Sequence, residues 1–138
     1  MIRTKYYTQD EFRTPRFNGP AELKVLGQWV TADIQLSALS ILEAIDLVRM
    51  AQADPDFPPE EMDGNAHTAT FSPQGVTIEN NFVEHVQGEF PLDTTLAVLL
   101  DFWDYYALAR PTNIASHWEE YVKENGRDPL AGLREITA

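Results

Sequence analysis

Between Met50 and Ala109 the chain has no lysine and no arginine. It has no cysteine anywhere, which excludes disulfides, thiolate catalysis and cysteine-ligated zinc or iron–sulfur sites. Long apolar runs are missing as well. The longest, Leu96 to Leu100, is far too short to span a bilayer. The opening residues MIRTKYYTQDEF hold charges where a secretory signal carries its apolar stretch. These absences predict a cytoplasmic protein without a membrane partner. Histidine is scarce: His67, His85 and His117 form no HExxH and no i, i+4 pair, so no metal or other cofactor is expected. No G-x-S-x-G, P-loop or dinucleotide fingerprint is present, so neither an enzyme nor a small-molecule substrate is inferred. With ten basic residues against 22 acids, the chain lacks the clustered Lys and Arg that neutralise phosphates, which argues against nucleic acid as a partner.

Acid is what the chain has. Its formal net charge is −12 over 138 residues, and eleven of the 22 carboxylates fall in the stretch that lacks bases. Basic residues gather instead at the front, where Arg3, Lys5, Arg13, Arg16 and Lys24 stand against Asp10, Glu11 and Glu22. The acidic stretch carries folding signals, so it is not a disordered tail. A folded region of one charge sign gives up stability to self-repulsion and gains attraction for a cationic partner. A solvated surface that keeps a protein soluble has the same composition.

The length suits one domain with a real core. Residues 3–8 read as a strand. Residues 22–30, ELKVLGQWV, alternate Leu23, Val25, Gly27 and Trp29 and read as a second strand. A helix follows, capped by Ser37 or Ser40, the latter with Glu43 in an S-x-x-E box. It carries an apolar stripe of Ile41, Leu42, Ile45 and Val48, with Glu43, Asp46 and Arg49 toward the other side, and Asp54-Pro55 ends it. DPDFPPEEMDGN reads as a polar connection about a dozen residues long, a length that loops seldom reach without a task. AHTATF and VTIENNF form a hairpin around Ser72-Pro73-Gln74-Gly75. The register pairing Phe71 with Val76 and Ala69 with Ile78 is preferred, because only it gathers the apolar residues on one face. That register places His67 and Asn80 at the far end of the buried face. Asp93 reads as the N-cap of the strongest helix, with Leu96, Leu99, Leu100, Trp103, Tyr106 and Ala107 as its stripe and Asp101, Asp104 and Tyr105 on the other side. Ile114, Trp118, Tyr121 and Val122 suggest another helix ended by Asn125-Gly126. Leu130, Leu133 and Ile136 suggest a last short one after Asp128-Pro129. The order β-β-α-β-β-α-α predicts a single α+β domain over residues 1–138: an antiparallel sheet of about four strands, helices over one face, and 111–138 as a helical C-terminal extension.

Glu84 and His85 near Glu89 are the one carboxylate–histidine grouping that suggests a hydrolase or metal site. The acids of 54–63 lack the D-x-D-x-D-G spacing of a calcium loop, and Pro55, Pro58 and Pro59 stiffen the segment away from it. Tyr105 between Asp101 and Asp104 has the composition of an interface anchor for Arg and Lys.

Leu26-Gly27-Gln28-Trp29-Val30 before a helix, the hairpin Asp63-Gly64-Asn65-Ala66-His67-Thr68 with Gly75-Val76-Thr77-Ile78, the acidic loop between them, and the apolar helix with its Asp-rich outer face form a recognisable series. It resembles the YacL-like family of small acidic bacterial proteins, which includes immunity proteins of contact-dependent growth inhibition and related polymorphic toxin systems. The resemblance spans about residues 22–110. It implies binding and neutralising a toxin domain, often a nuclease, and transfers no site residue. A nuclease toxin is generally basic, and a dense acidic face suits it. The expectation is therefore an immunity protein that binds a basic toxin domain through Asp56, Glu60, Glu61, Asp63, Glu79, Glu84, Glu89, Asp101, Asp104 and Tyr105. The alternatives are a cytosolic interaction or regulatory domain and, from another class, a hydrolase around Glu84 and His85.

Overall fold

The computed structural model describes residues 2–34 and 37–133, with Asn113 by its backbone alone. A small hairpin of β1 (Tyr7–Gln9) and β2 (Pro15–Phe17) comes first, then α1 (Lys24–Ala32) and α2 (Ala38–Ala53). A meander of β3 (Glu60–Asp63), β4 (His67–Ser72), β5 (Gly75–Asn80) and β6 (Gln87–Phe90) follows, and α3 (Leu92–Ala109) and α4 (Pro111–Asn125) close the fold. The meander is one antiparallel sheet in the order β3-β4-β5-β6, so the α+β class and the strand number are as the sequence predicts, although only β4 and β5 are among the strands it places. Among the described residues, no helix is long and apolar enough to cross a membrane.

The hairpin register is the expected one: Phe71 faces Val76, Ala69 faces Ile78, and Ser72 faces Gly75 at the turn. Gly75 has φ +142°, and a Cβ there would meet the Phe90 carbonyl oxygen at 2.7 Å, so this position requires glycine. Side chains alternate along β4 and β5, and Ala69, Phe71, Val76 and Ile78 are buried beneath α1, α2 and α3.

The strand expected over 22–30 is a helix, entered through a 3-10 turn at Ala21–Leu23. The segment satisfies both periods. Leu26, Trp29 and Val30 also recur at i, i+3, i+4, and those are the residues buried. Gly27 serves packing here: a Cβ would overlap the Phe17 ring. In α2 the cap is Ser37, whose Oγ accepts from the Ser40 amide at 3.1 Å, and Ser40 lies inside the helix. Asp46 does not lie on a solvated side. It is 3% exposed, because α3 and α4 both pack against α2 and leave it little polar face. The long connection after α2 is shorter than expected, since Glu60–Asp63 joins the sheet as an edge strand.

In α3 the N-cap is Pro91, and Asp93 sits in the first turn. The buried face is rotated from the expected stripe. Val98, Leu99, Phe102, Trp103, Tyr105 and Tyr106 are buried, whereas Leu96 and Leu100 are half-buried. Gly126 ends α4 in the left-handed conformation at φ 71°. The chain then turns through Pro129–Leu133 with Leu130 buried, where a short helix was expected; Ile136 lies outside the described residues.

Candidate functional site

Strand alternation sorts the sheet into two faces. The helices cover one. On the other, Asp63, Thr68, Glu79 and Gln87 stand in a row across β3 to β6, and Glu61, Thr70, Thr77 and Glu89 form the next row. The four carboxylates are exposed and the three threonines half-exposed. The face contains no lysine or arginine, because none occurs between Met50 and Ala109. Thr68 Oγ1 donates to Asp63 Oδ1 at 3.0 Å, and the described hydrogen bonds give Glu61, Glu79 and Glu89 no side-chain partner. This surface can accept charge-assisted hydrogen bonds from several cations at once while offering none of its own.

One end of the face carries an apolar projection. Asn80 Oδ1 accepts from the amides of Phe82 and Val83 at 2.9 and 3.0 Å, which turns the chain out after β5. The Asn81 amide donates to the Ala66 carbonyl at 2.8 Å, fixing this turn to the β3–β4 corner. Phe82 is 80% exposed, and Glu84 and His85 are exposed beside it. An exposed phenylalanine on an ordered turn flanked by acids is a candidate anchor. The sequence pattern puts Phe82 at a strand end, whereas β5 stops at Asn80. Its signal was two apolar residues after Asn80-Asn81 that continue no stripe.

The other expected site residues divide. Asp56 is exposed in the loop, where its amide donates to Asp54 Oδ1 at 2.9 Å. Glu60 is exposed but in register with Phe71, so it edges the opposite face. Asp101, Asp104 and Tyr105 do not join the sheet surface, because α3 packs on the covered side. Asp101 clamps the N-terminal segment: Oδ2 accepts from Thr4 Oγ1 at 2.6 Å and the Tyr6 amide at 2.9 Å, and Oδ1 from the Lys5 amide at 3.0 Å. Asp104 is half-buried. Tyr105 is 3% exposed, stacked on Phe102 at 5.7 Å and tilted against Tyr7 at 6.3 Å, so it cannot be a surface anchor in this fold. The covering residues lie nearly a hundred positions away in sequence, beyond what helical periodicity can register.

Two buried carboxylates have structural work. Asp33 accepts from the amides of Ala66 and His67 at 3.0 and 2.8 Å and contacts His67 Nδ1 at 3.1 Å. A Cβ at Gly64 would overlap its carboxylate, so the β3–β4 turn closes around this one side chain. Among the described residues, His67 Nε2 has no hydrogen-bond partner. Asp46 accepts from the Tyr121 hydroxyl at 2.6 Å and from Arg127 at 2.6–2.9 Å, fastening the C-terminal turn to α2. Burial first, then the hydrogen bond to Asp46, pushes the Tyr121 hydroxyl well above its ordinary pKa. Among the described residues, Glu84, His85 and Glu89 do not converge with other acids or histidines into a metal-ligating group. In comparison with known proteins, no family model, no curated protein and no solved structure matches the chain.

Proposed function

We propose that this chain is a binding protein whose outer sheet face takes a basic protein partner, and that the partner is a toxin domain it neutralises by stoichiometric binding, as an immunity protein does. The carrying observation is the uncovered face on which Glu61, Asp63, Glu79 and Glu89 stand together without a single cation. Exposed carboxylates crowded on one surface repel each other, and a surface of opposite charge relieves that repulsion while adding charge-assisted bonds. Strand spacing makes the face about 15 by 20 Å, or about 300 Å², against about 800 Å² per partner in a stable complex. The turn bearing Phe82 and the exposed Asp56 loop supply adjoining surface, and Phe82 supplies the apolar contact that acids lack. The resemblance to the immunity family supports the toxin as partner, and the charge supports a basic, nuclease-type one.

The test is co-purification with the product of the gene immediately upstream. A one-to-one complex whose association slows as salt rises supports the reading. A neighbourhood without a toxin gene overturns the immunity role, and a complex whose association rate is indifferent to salt overturns the acidic face as its basis.

A further inference from the structure

Antiparallel pairing alternates backbone direction, so every second residue of an edge strand turns its N–H and C=O off the sheet. In β3 the phase is set at the turn. The Gly64 amide donates to the His67 carbonyl at 2.8 Å, so Met62 and Glu60 turn their backbone groups toward β4, in register with Ala69 and Phe71. Glu61 and Asp63 therefore each direct an amide and a carbonyl to the open side. Among the described residues, no hydrogen bond engages these four groups. A row of this kind is a template for another strand.

Charge and room decide which strand fits. Glu60, Glu61 and Asp63 are exposed acids within the four residues of β3, whereas the other edge strand, β6, holds one acid, Glu89. Edge charges ordinarily keep strands apart. These three share one sign, so they repel the same edge of another copy and attract a strand of cations. Beneath the edge, a cavity of about 350 Å³ lies between β3 and the first turns of α2. Its accessible wall includes Ser40, Glu43, Met62 and Asn65, and among the described residues no lysine or arginine lines it. The helices leave this ground unfilled, and a side chain opposite Met62 has space there.

We infer that an extended basic segment of the protein partner adds to β3 as a fifth strand, with cations opposite Glu61 and Asp63 and an aliphatic residue opposite Met62. The addition is antiparallel, the sense of every pairing in this sheet. Opposed residues on adjoining strands project to the same face, so the cations lie beside Glu61 and Asp63 on the outer surface. The backbone bonds supply the register and direction that charge alone lacks. This inference rests on the reading of a basic protein partner and names how part of it is held.

The experiment titrates the full chain with the acetylated, amidated peptide Val-Arg-Val-Arg-Val, following backbone amides by nitrogen–proton NMR. Saturable shifts over residues 60–64 are expected, with slowed hydrogen exchange at the Glu61 and Asp63 amides. In the inferred register the two arginine amides face β3 and the central valine amide faces away. N-methylation of both arginine amides should therefore weaken binding about tenfold or more, and N-methylation of the central valine by no more than about threefold. Val-Glu-Val-Glu-Val should not saturate. Glu61→Pro removes an outward donor while the ladder bonds from Glu60 and Met62 remain, and should weaken the arginine peptide about tenfold or more beyond Glu61→Gln. Absence of saturation, or equal binding of the glutamate peptide, overturns the inference. Full binding after arginine N-methylation overturns it too, by leaving the acidic face to act through charge alone. Protection of the Glu61 and Asp63 amides that grows with protein concentration, without peptide, gives the edge to a second copy and overturns it as well. Co-purification with the upstream gene product tests the basic partner itself, so the two readings fail separately.

Discussion

The helical layer and the outer sheet face both carry aspartates and glutamates, and they use them in opposite ways. In the helical layer three carboxylates are committed: Asp33 to the Ala66 and His67 amides, Asp46 to Tyr121 and Arg127, Asp101 to residues 4–6. On the sheet face Glu61, Asp63, Glu79 and Glu89 stand exposed in two adjacent rows with threonines between them. Composition treats these residues alike. What separates them is whether the surrounding chain supplies donors, and that is decided by tertiary cover. The three committed acids of the first region should therefore matter to stability and little to binding, and the acids of the second the reverse.

The largest effect that sharpens this contrast is at Asp33. Asp33→Ala leaves the buried His67 amide, the part-buried Ala66 amide and the His67 ring without their acceptor and should cost about 3–5 kcal/mol, read as a lowered urea midpoint. Alkaline titration follows. Tyr7, Tyr105 and Tyr121 all have hydroxyl pKa values raised above the ordinary 10.0, each chiefly by burial. The folded state thus holds protons that the unfolded state gives up above pH 10, so this contribution is intact below that pH and is lost as pH rises through the folded values. In a variant with Tyr6 and Tyr106 as phenylalanine, the phenolate absorbance of these three rings should appear together with loss of the circular dichroism signal, and its appearance well before unfolding would contradict their burial. Next comes Asp101→Asn, which keeps one acceptor oxygen of two and should cost about 1–2 kcal/mol, with faster hydrogen exchange confined to residues 3–9. Smallest is the sheet face: neutralising Glu61, Asp63, Glu79 and Glu89 one at a time should change stability by no more than about 0.5 kcal/mol, with a gain where self-repulsion is relieved.

Much of the frame was legible in the sequence. The hairpin register followed from one requirement, that Ala69, Phe71, Val76 and Ile78 share a face, and Ser37 and Gly126 carried their cap chemistry openly. The misread strand at 22–30 came from a segment whose apolar residues satisfy periods of 2 and 3.6 alike. Edge strands β3 and β6 were missed because four residues paired on one side leave almost no pattern. Of the site, Glu61, Asp63, Glu79 and Glu89 are on one surface as expected, whereas Asp101 and Tyr105 were misjudged because α3 is covered by the N-terminal hairpin. Periodicity shows which side of a helix is apolar. It does not show that a distant segment will cover the polar side too.

The central claim is that the outer sheet face, and not the acids of α3, meets the partner. It is tested most directly by stopped-flow association with the proposed toxin partner at low and high salt, for the wild-type chain, the fourfold Glu61→Gln, Asp63→Asn, Glu79→Gln, Glu89→Gln variant, and Asp101→Asn. The account predicts that the fourfold variant associates about tenfold or more slowly at low salt and loses most of its salt dependence, while Asp101→Asn matches wild type. Wild-type association by the fourfold variant, or slowing confined to Asp101→Asn, would contradict it.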